Sequence, residues 1–413
     1  MTTIKDVHAR EILDSRGNPT VEVDMLVGNF ISRASVPSGA STGKYEAVEL
    51  RDDNKKRFLG KGVQTAVKNI QRFIAPRVKG MDCRKQREID QRLIVLDGTR
   101  DKHDLGANAL LGVSMAACRA AAYAERTTSF RHIAHLHHTR HVRLPRLFFN
   151  ILNGGKHAGN NLPIQEIMIS PREKSVRESV RMASETYHVL HGILEQKYGK
   201  QATNIGDEGG FAPPVERAEE ALELVMAALR ELGYHRRVDL ALDCAAREFC
   251  RAGRYYPISN HEGMNVRGLL DYYKHLVRHY PIISIEDPFD EDDFTHFAEL
   301  KRAVHGKAQV VGDDMTATNI QRMTLAARAG SVNCLLLKLN QIGTVSEALE
   351  AASFAHKHGW RVMVSHRSGE TTDDFIADFA VGIGAEMIKA GAPARGERVA
   401  KYNQLMRIEE MMG

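Results

Sequence analysis

The sequence predicts an α+β domain followed by an α/β barrel, on three observations. Six short apolar runs in the second half of the chain each end on a charged or polar residue: Asp243, Glu286, Asp313, Lys338, His366 and Lys389. Successive end residues lie 43, 27, 25, 28 and 23 positions apart, the length of one strand plus one helix, and most of the gaps hold a helical pattern. The first part of the chain differs. Residues 1 to about 30 alternate like strands, most clearly over Val21–Val27 between Gly17-Asn18-Pro19 and Gly28-Asn29. Helical patterns follow these strands. Ala107–Glu125, rich in Ala, Leu and Met, is expected to be buried on most sides. Strands followed by helices define an α+β domain, whereas repeated strand–helix units define a parallel sheet, here closed into a barrel. In such a barrel the residues at the C-terminal strand ends gather on one face, where chemistry is done.

These patterns divide the chain into an α+β domain over 1–126, a linker over 127–146 and a barrel over 147–413. The linker carries His132, His135, His137, His138 and His141 among several arginines. It reads as a metal-binding tract or as a solvated helix between domains. Without an accompanying carboxylate or cysteine, the solvated linker is the expectation. Within the barrel segment, Glu216–Leu232 forms a helical pattern that stops at Gly233.

Composition narrows the class of protein. The chain has 413 residues, enough for two or three domains; 43% hydrophobic and 26% charged residues describe a soluble globular protein. A net charge of +5, with basic residues spread along the chain, argues against a nucleic-acid surface and modestly favours an anionic substrate. Cys83, Cys118, Cys244, Cys250 and Cys334 form no C-x-x-C pair and read as reduced thiols in the cytoplasm. The start, Met1–Asp6, has no targeting pattern, and no apolar run approaches the ~20 residues a membrane span needs.

The strand ends carry the chemistry. A lone acid there would read as a helix cap or salt-bridge partner. Three in series, Asp243, Glu286 and Asp313, read as oxygen ligands that suit Mg²⁺ better than zinc. Alternation turns Asp287 and Asp314 elsewhere, into supporting positions. Lys338 ends a fully apolar strand, where an ammonium is costly unless it faces a polar cavity; beside a divalent cation it suits a general base. A salt bridge to one of the acids is the plainer reading, and Lys389 has the same two. Gly206-Asp207-Glu208-Gly209-Gly210 holds an acid pair in glycines, and Gly154–Asn160 presents His157. Ser365-His366-Arg367-Ser368-Gly369 combines hydroxyl, imidazole and guanidinium groups suited to phosphate.

With these motifs in view, the chain resembles the enolase family over essentially its whole length. The resemblance rests on Ala9–Pro19, Ser38–Gly43, Leu105–Ala109, Asn153-Gly154-Gly155, His157-Ala158-Gly159 and Gly206–Gly210. It continues through Glu286-Asp287-Pro288-Phe289, Leu337–Gly343, Ser365–Thr371 and Lys401–Leu405. It implies an enolase-type fold, an α+β N-terminal domain before a TIM-like, modified (βα)8 barrel. It also implies Mg²⁺-dependent, reversible dehydration of 2-phosphoglycerate to phosphoenolpyruvate in glycolysis and gluconeogenesis, by a hydro-lyase with two Mg²⁺ per site. Carried over residue by residue, Asp243, Glu286 and Asp313 match the ligands of the tightly held ion and Ser41 the loop ligand of the second. Lys338 matches the base at C2. Glu208 matches the acid at the C3 hydroxyl, with Glu166 assisting and His157 beside them. Arg367 and Ser368 match the phosphate binders, Lys389 the partner of the substrate carboxylate, and His157, Gln165, Ser365 and His366 further substrate contacts. The family also implies a homodimer or higher homo-oligomer, with no nucleic-acid or membrane partner.

Some positions depart from the family pattern. Lys156 and Arg247 stand where relatives usually carry serine, and Arg146-Leu147 replaces Val-Pro. Every matched catalytic residue is present, which argues against a purely structural protein on the same scaffold. The Ser365–Ser368 set argues against an acid-sugar lyase of the wider superfamily.

Overall fold

A computed structural model describes residues 2–39 and 43–413. Ser41 lies outside the described residues. Near the N-terminus, β1 (Ile4–Leu13), β2 (Pro19–Val27) and β3 (Phe30–Ser35) form an antiparallel sheet in that order. Paired residues Val7 and Met25, Ala9 and Val23 put one apolar face inward, as alternation requires. That face packs on the helix Ala107–Ala124, nearly all of it buried. Gly112 permits the close approach, since a Cβ there would stand 2.7 Å from Val23 Cγ2.

The remainder is built around a closed eight-stranded barrel. Its strands are β4 (Arg146–Asn153), β5 (Glu166–Pro171), β6 (Val238–Asp243), β9 (Ile282–Glu286), β10 (Gln309–Gly312), β11 (Cys334–Leu337), β12 (Arg361–Ser365) and β13 (Met387–Lys389). Two short strands, β7 (Cys250–Arg251) and β8 (Arg254–Tyr255), make a hairpin outside it. Around the barrel the order is β10-β11-β12-β13-β4-β5-β6-β9.

One expectation needs correction. The βα rhythm does not begin at Leu147, because β5 runs antiparallel to both β4 and β6 while the other pairs are parallel. Only residues 154–165, with the single turn Gly155–His157, join β4 to β5, and no crossover helix fits there. Two helices then follow in succession, Val176–Tyr198 and Ala218–Glu231. The reversal brings the N-terminal end of β5, and so Glu166, to the face that carries the other strands' C-terminal ends.

Strand parity fixes what points into the barrel. Phe148, Met168, Ala241, Val311, Cys334, Leu336, Met363 and Met387 form a separate apolar cluster inside it. Their neighbours Leu242, Val310, Leu335, Leu337, Val362, Val364 and Ile388 join the main core under the helices. Two residues beyond Phe148, Ala241, Val311, Leu336, Met363 and Met387 lie Asn150, Asp243, Asp313, Lys338, Ser365 and Lys389, so the same parity aims these side chains along the axis. His366 falls on the opposite parity.

The histidine tract is also revised. Ser129–His137 is a helix that buries Phe130, His132, Ile133 and Ala134 against the helix Phe375–Gly382. It is therefore solvated on one face only. His132 does have a carboxylate partner, Glu125, with Nδ1 2.9 Å from Oε2. The five cysteines are free thiols. No helix among the described residues is long and apolar enough to cross a membrane.

Candidate active site

The barrel face predicted to carry chemistry holds a polar cavity. It is lined by His157, Gln165, Glu166, Glu208, Asp243, Asp313, Asp314, Lys338, Ser365, His366, Arg367, Ser368 and Lys389. Except for Glu286 and Ser41, every residue predicted from the sequence as part of the site is in this lining. Glu286 sits just beneath it, held by Lys389.

Two lysines organise the strand ends. Lys389 Nζ donates to Glu286 Oε1 and Oε2 (2.8 Å each) and lies 3.3 Å from Glu166 Oε2 and 3.4 Å from Asp243 Oδ2. Lys338 Nζ donates to Asp313 Oδ2 at 2.5 Å, and Gln341 Nε2 donates to Asp313 Oδ1 at 2.8 Å. Burial opposes charge on both lysines, but the facing carboxylates outweigh it and raise both above the ordinary lysine range. The plainer reading, a salt bridge, thus holds for both residues in this arrangement.

Carboxylates nevertheless outnumber these cations. Burial and the Asp243 charge push Glu286 well above the carboxylate range despite Lys389. Burial and the charges of Asp314 and Asp313 do the same to Asp287. Burial and the Asp313 charge bring Asp314 up to about 8. Such an excess of buried negative charge fits a bound divalent cation, and hard oxygen donors suit Mg²⁺. Of the predicted ligands, Asp313 has its oxygen within 4.8 Å of those of Asp287 and Asp314. Asp287 also plays the supporting role expected of it. Its two oxygens accept from the backbone N–H groups of Asp313 (2.9 Å) and Asp314 (2.8 Å).

Loops supply the second group. Gly206–Gly210 folds tightly because glycine is required there. A Cβ on Gly206 would stand 2.4 Å from the His157 carbonyl oxygen, and one on Gly210 2.9 Å from Asn153 Oδ1. This packing presents Glu208 to Asn150, whose Nδ2 donates to Oε2 at 2.8 Å. His366 Nε2 lies 3.3 Å from the same oxygen. His157 Nδ1 lies 3.5 Å from Glu208 Oε1 and 3.7 Å from Glu166 Oε1. Burial raises the Glu208 carboxyl, but His157, His366 and Arg398 outweigh it and hold it below the usual range. Burial and the Glu208 charge push Glu166 up. The two facing carboxyls are thus pushed in opposite directions, Glu166 up and Glu208 down. β5 and β11 are diametrically opposed in the barrel order, which sets Glu166 across from Lys338.

The N-terminal segment reaches this face. Ser38 and Gly369 exchange backbone hydrogen bonds of 2.7 and 2.9 Å. Glu46 accepts from Arg367 Nη1 at 2.9 Å and Nη2 at 3.2 Å, while Asn340 Oδ1 also accepts from Nη1. Glu46, Asn150 and Gln341 were missed as site residues in the sequence. Gln341 stands inside the quoted Leu337–Gly343 segment and Glu46 three residues beyond Ser38–Gly43, but nothing in either spacing marks a contact across domains. Of the two unusual cations, Lys156 Nζ donates to Glu248 Oε1 at 2.7 Å, outside the cavity lining. Arg247 pairs with buried Glu291 and lines a small neighbouring cavity that shares Asp243, Asp313 and Asp314 with the site.

Comparison with known proteins agrees over both parts of the chain. Residues 4–133 match the family described as enolase, N-terminal domain, and residues 141–413 that described as enolase, C-terminal TIM barrel domain. The chain is 50% identical over 424 residues to an enolase of Mastigamoeba balamuthi, covering 100% of this chain and 97% of that relative.

Proposed function

This chain belongs to the enolase family, and from that premise we propose that it catalyses the Mg²⁺-dependent, reversible dehydration of 2-phosphoglycerate to phosphoenolpyruvate. The observation that carries the reading is one cavity that sets a lysine, Lys338, across the barrel from the facing carboxyls Glu166 and Glu208. In the proposed reaction the Lys338 amine takes the proton from C2. The C3–O bond then breaks on the opposite side, and the Glu166/Glu208 pair gives a proton to the departing hydroxide, which leaves as water. His157 sits between the two carboxyls and steadies their geometry. Arg367 and Ser368 hold the phosphate, Lys389 holds the substrate carboxylate, and Gln165, Ser365 and His366 complete the walls. Asp243, Glu286 and Asp313 would hold one Mg²⁺ and Ser41 would meet a second, and the ions would supply charge stabilisation at the substrate carboxylate. A lysine or histidine base with Mg²⁺ is the general pattern of this superfamily.

The same reading places the domain boundaries at 1–126, 127–146 and 147–413, the protein in the cytoplasm on the glycolytic route, and its assembly as a homodimer or higher homo-oligomer. A direct assay follows phosphoenolpyruvate absorbance with Mg²⁺ and again with chelator. Turnover that needs Mg²⁺ is the expected result. Absence of turnover with Mg²⁺ would contradict the reading.

A further inference from the structure

His366 is off the inward parity of β12 and meets a helix rather than the barrel axis. The helix Gly396–Met412 sends in Arg398, which is fully buried. Arg398 Nη1 stands 2.7 Å from His366 Nδ1 and donates to the Arg367 carbonyl at 2.6 Å. Its Nη2 donates to the carbonyls of Ser368 (2.5 Å) and Asp207 (2.9 Å). The site is built to admit this side chain. Gly391 has φ +90, and a Cβ there would lie 2.6 Å from Arg398 Cδ and 2.9 Å from the Glu208 carbonyl oxygen. One guanidinium thus joins the loop that carries the acid to the loop that carries the phosphate binders.

A guanidinium has donors and no lone pair to offer. His366 Nδ1 can meet it only as an acceptor, so the ring proton belongs on Nε2, the nitrogen that faces Glu208 at 3.3 Å. We propose that Arg398 is a positioning residue that fixes His366 as a neutral Nε2–H donor toward Glu208, and so sets the orientation and proton affinity of the acid. This proposal rests on the dehydratase reading for its catalytic consequence, but its structural claim stands alone. The charged groups facing His366 are Glu208, Arg398 and Lys389. Without Arg398 the ring is free to turn its Nε2 lone pair against the Glu208 carboxylate or to take up a second proton.

The test has two arms. ¹⁵N spectra of the full chain labelled at histidine, with the His366 signal identified by its loss in His366→Asn, read the tautomer directly. A proton on Nε2 and a lone pair on Nδ1 at neutral pH is expected; an Nδ1–H or doubly protonated ring overturns the proposal. In the kinetic arm, Arg398→Met should lower kcat by roughly 10²-fold and shift the acidic limb of the kcat–pH profile upward. Arg398→Lys, which keeps a donor at Nδ1, should restore the limb and the tautomer signal. A fall in kcat with the limb unmoved indicates a merely structural role and overturns the proposal. If Arg398→Met does not fold, the wild-type spectrum and Arg398→Lys decide the matter. A wild-type chain with the Nε2–H signal but no turnover with Mg²⁺ would remove the dehydratase reading while supporting the Arg398 assignment.

Discussion

The strand ends and the loops build the same cavity by different means. On the strands, position follows from parity: Asp243, Asp313, Lys338 and Lys389 each stand two residues past a buried inward-facing residue. On the loops, position follows from close packing and hydrogen bonds across elements. Glu208 depends on Gly206 and Gly210, His366 on Arg398 and Arg367 on Glu46. The strand set is therefore expected to tolerate nearby change better than the loop set, which depends on its neighbours' packing.

The largest expected effect removes the proposed strand-borne base. Lys338→Ala should cut turnover by about 10⁴-fold with little change in melting temperature, since general-base contributions reach that size. Retained turnover would break the division of roles. Next, Glu208→Gln should lower phosphoenolpyruvate formation by roughly 10²- to 10³-fold in steady-state assays.

Gly206→Ala comes third and tests the loop's dependence on packing. Its Cβ would overlap the His157 carbonyl, so unfolding experiments should show a loss of about 1–3 kcal/mol together with reduced kcat. Full activity in this variant would show that the loop can relax. The smallest effect lies outside both sets. Burial pushes His137 down to about 4. Between that value and about 6.5 the unfolded chain binds a proton that the folded chain does not, so stability rises with pH across that window. Thermal melts of His137→Gln should show a shallower rise from pH 4 to 6.5 than the wild type, with activity unchanged.

This contrast also explains what the sequence disclosed. Asp243, Glu286, Asp313, Lys338 and Lys389 were legible because a strand end following an apolar run is a local pattern. Glu208 and His157 were visible as polar residues among glycines, but their meeting was not, because the Gly206–His157 approach joins segments about 50 residues apart. The reversed β5 was missed because its six residues show no alternation, being buried on both faces. The histidine tract was misjudged for a related reason: its burial is set by Gly382, which allows Ile133 to approach within 2.6 Å of where a Cβ would lie. Glu46 and Arg398 act only through tertiary contact, and no spacing in the chain announces them.

The central claim is that strand-borne Lys338 moves the C2 proton while loop-borne Glu208 serves the hydroxyl on C3. Proton NMR in D₂O tests it by following exchange of the C2 hydrogen of 2-phosphoglycerate in Lys338→Ala and Glu208→Gln. The account predicts that Glu208→Gln continues to exchange that hydrogen while failing to make phosphoenolpyruvate, and that Lys338→Ala does neither. Exchange that persists in Lys338→Ala, or vanishes equally in both variants, would contradict it.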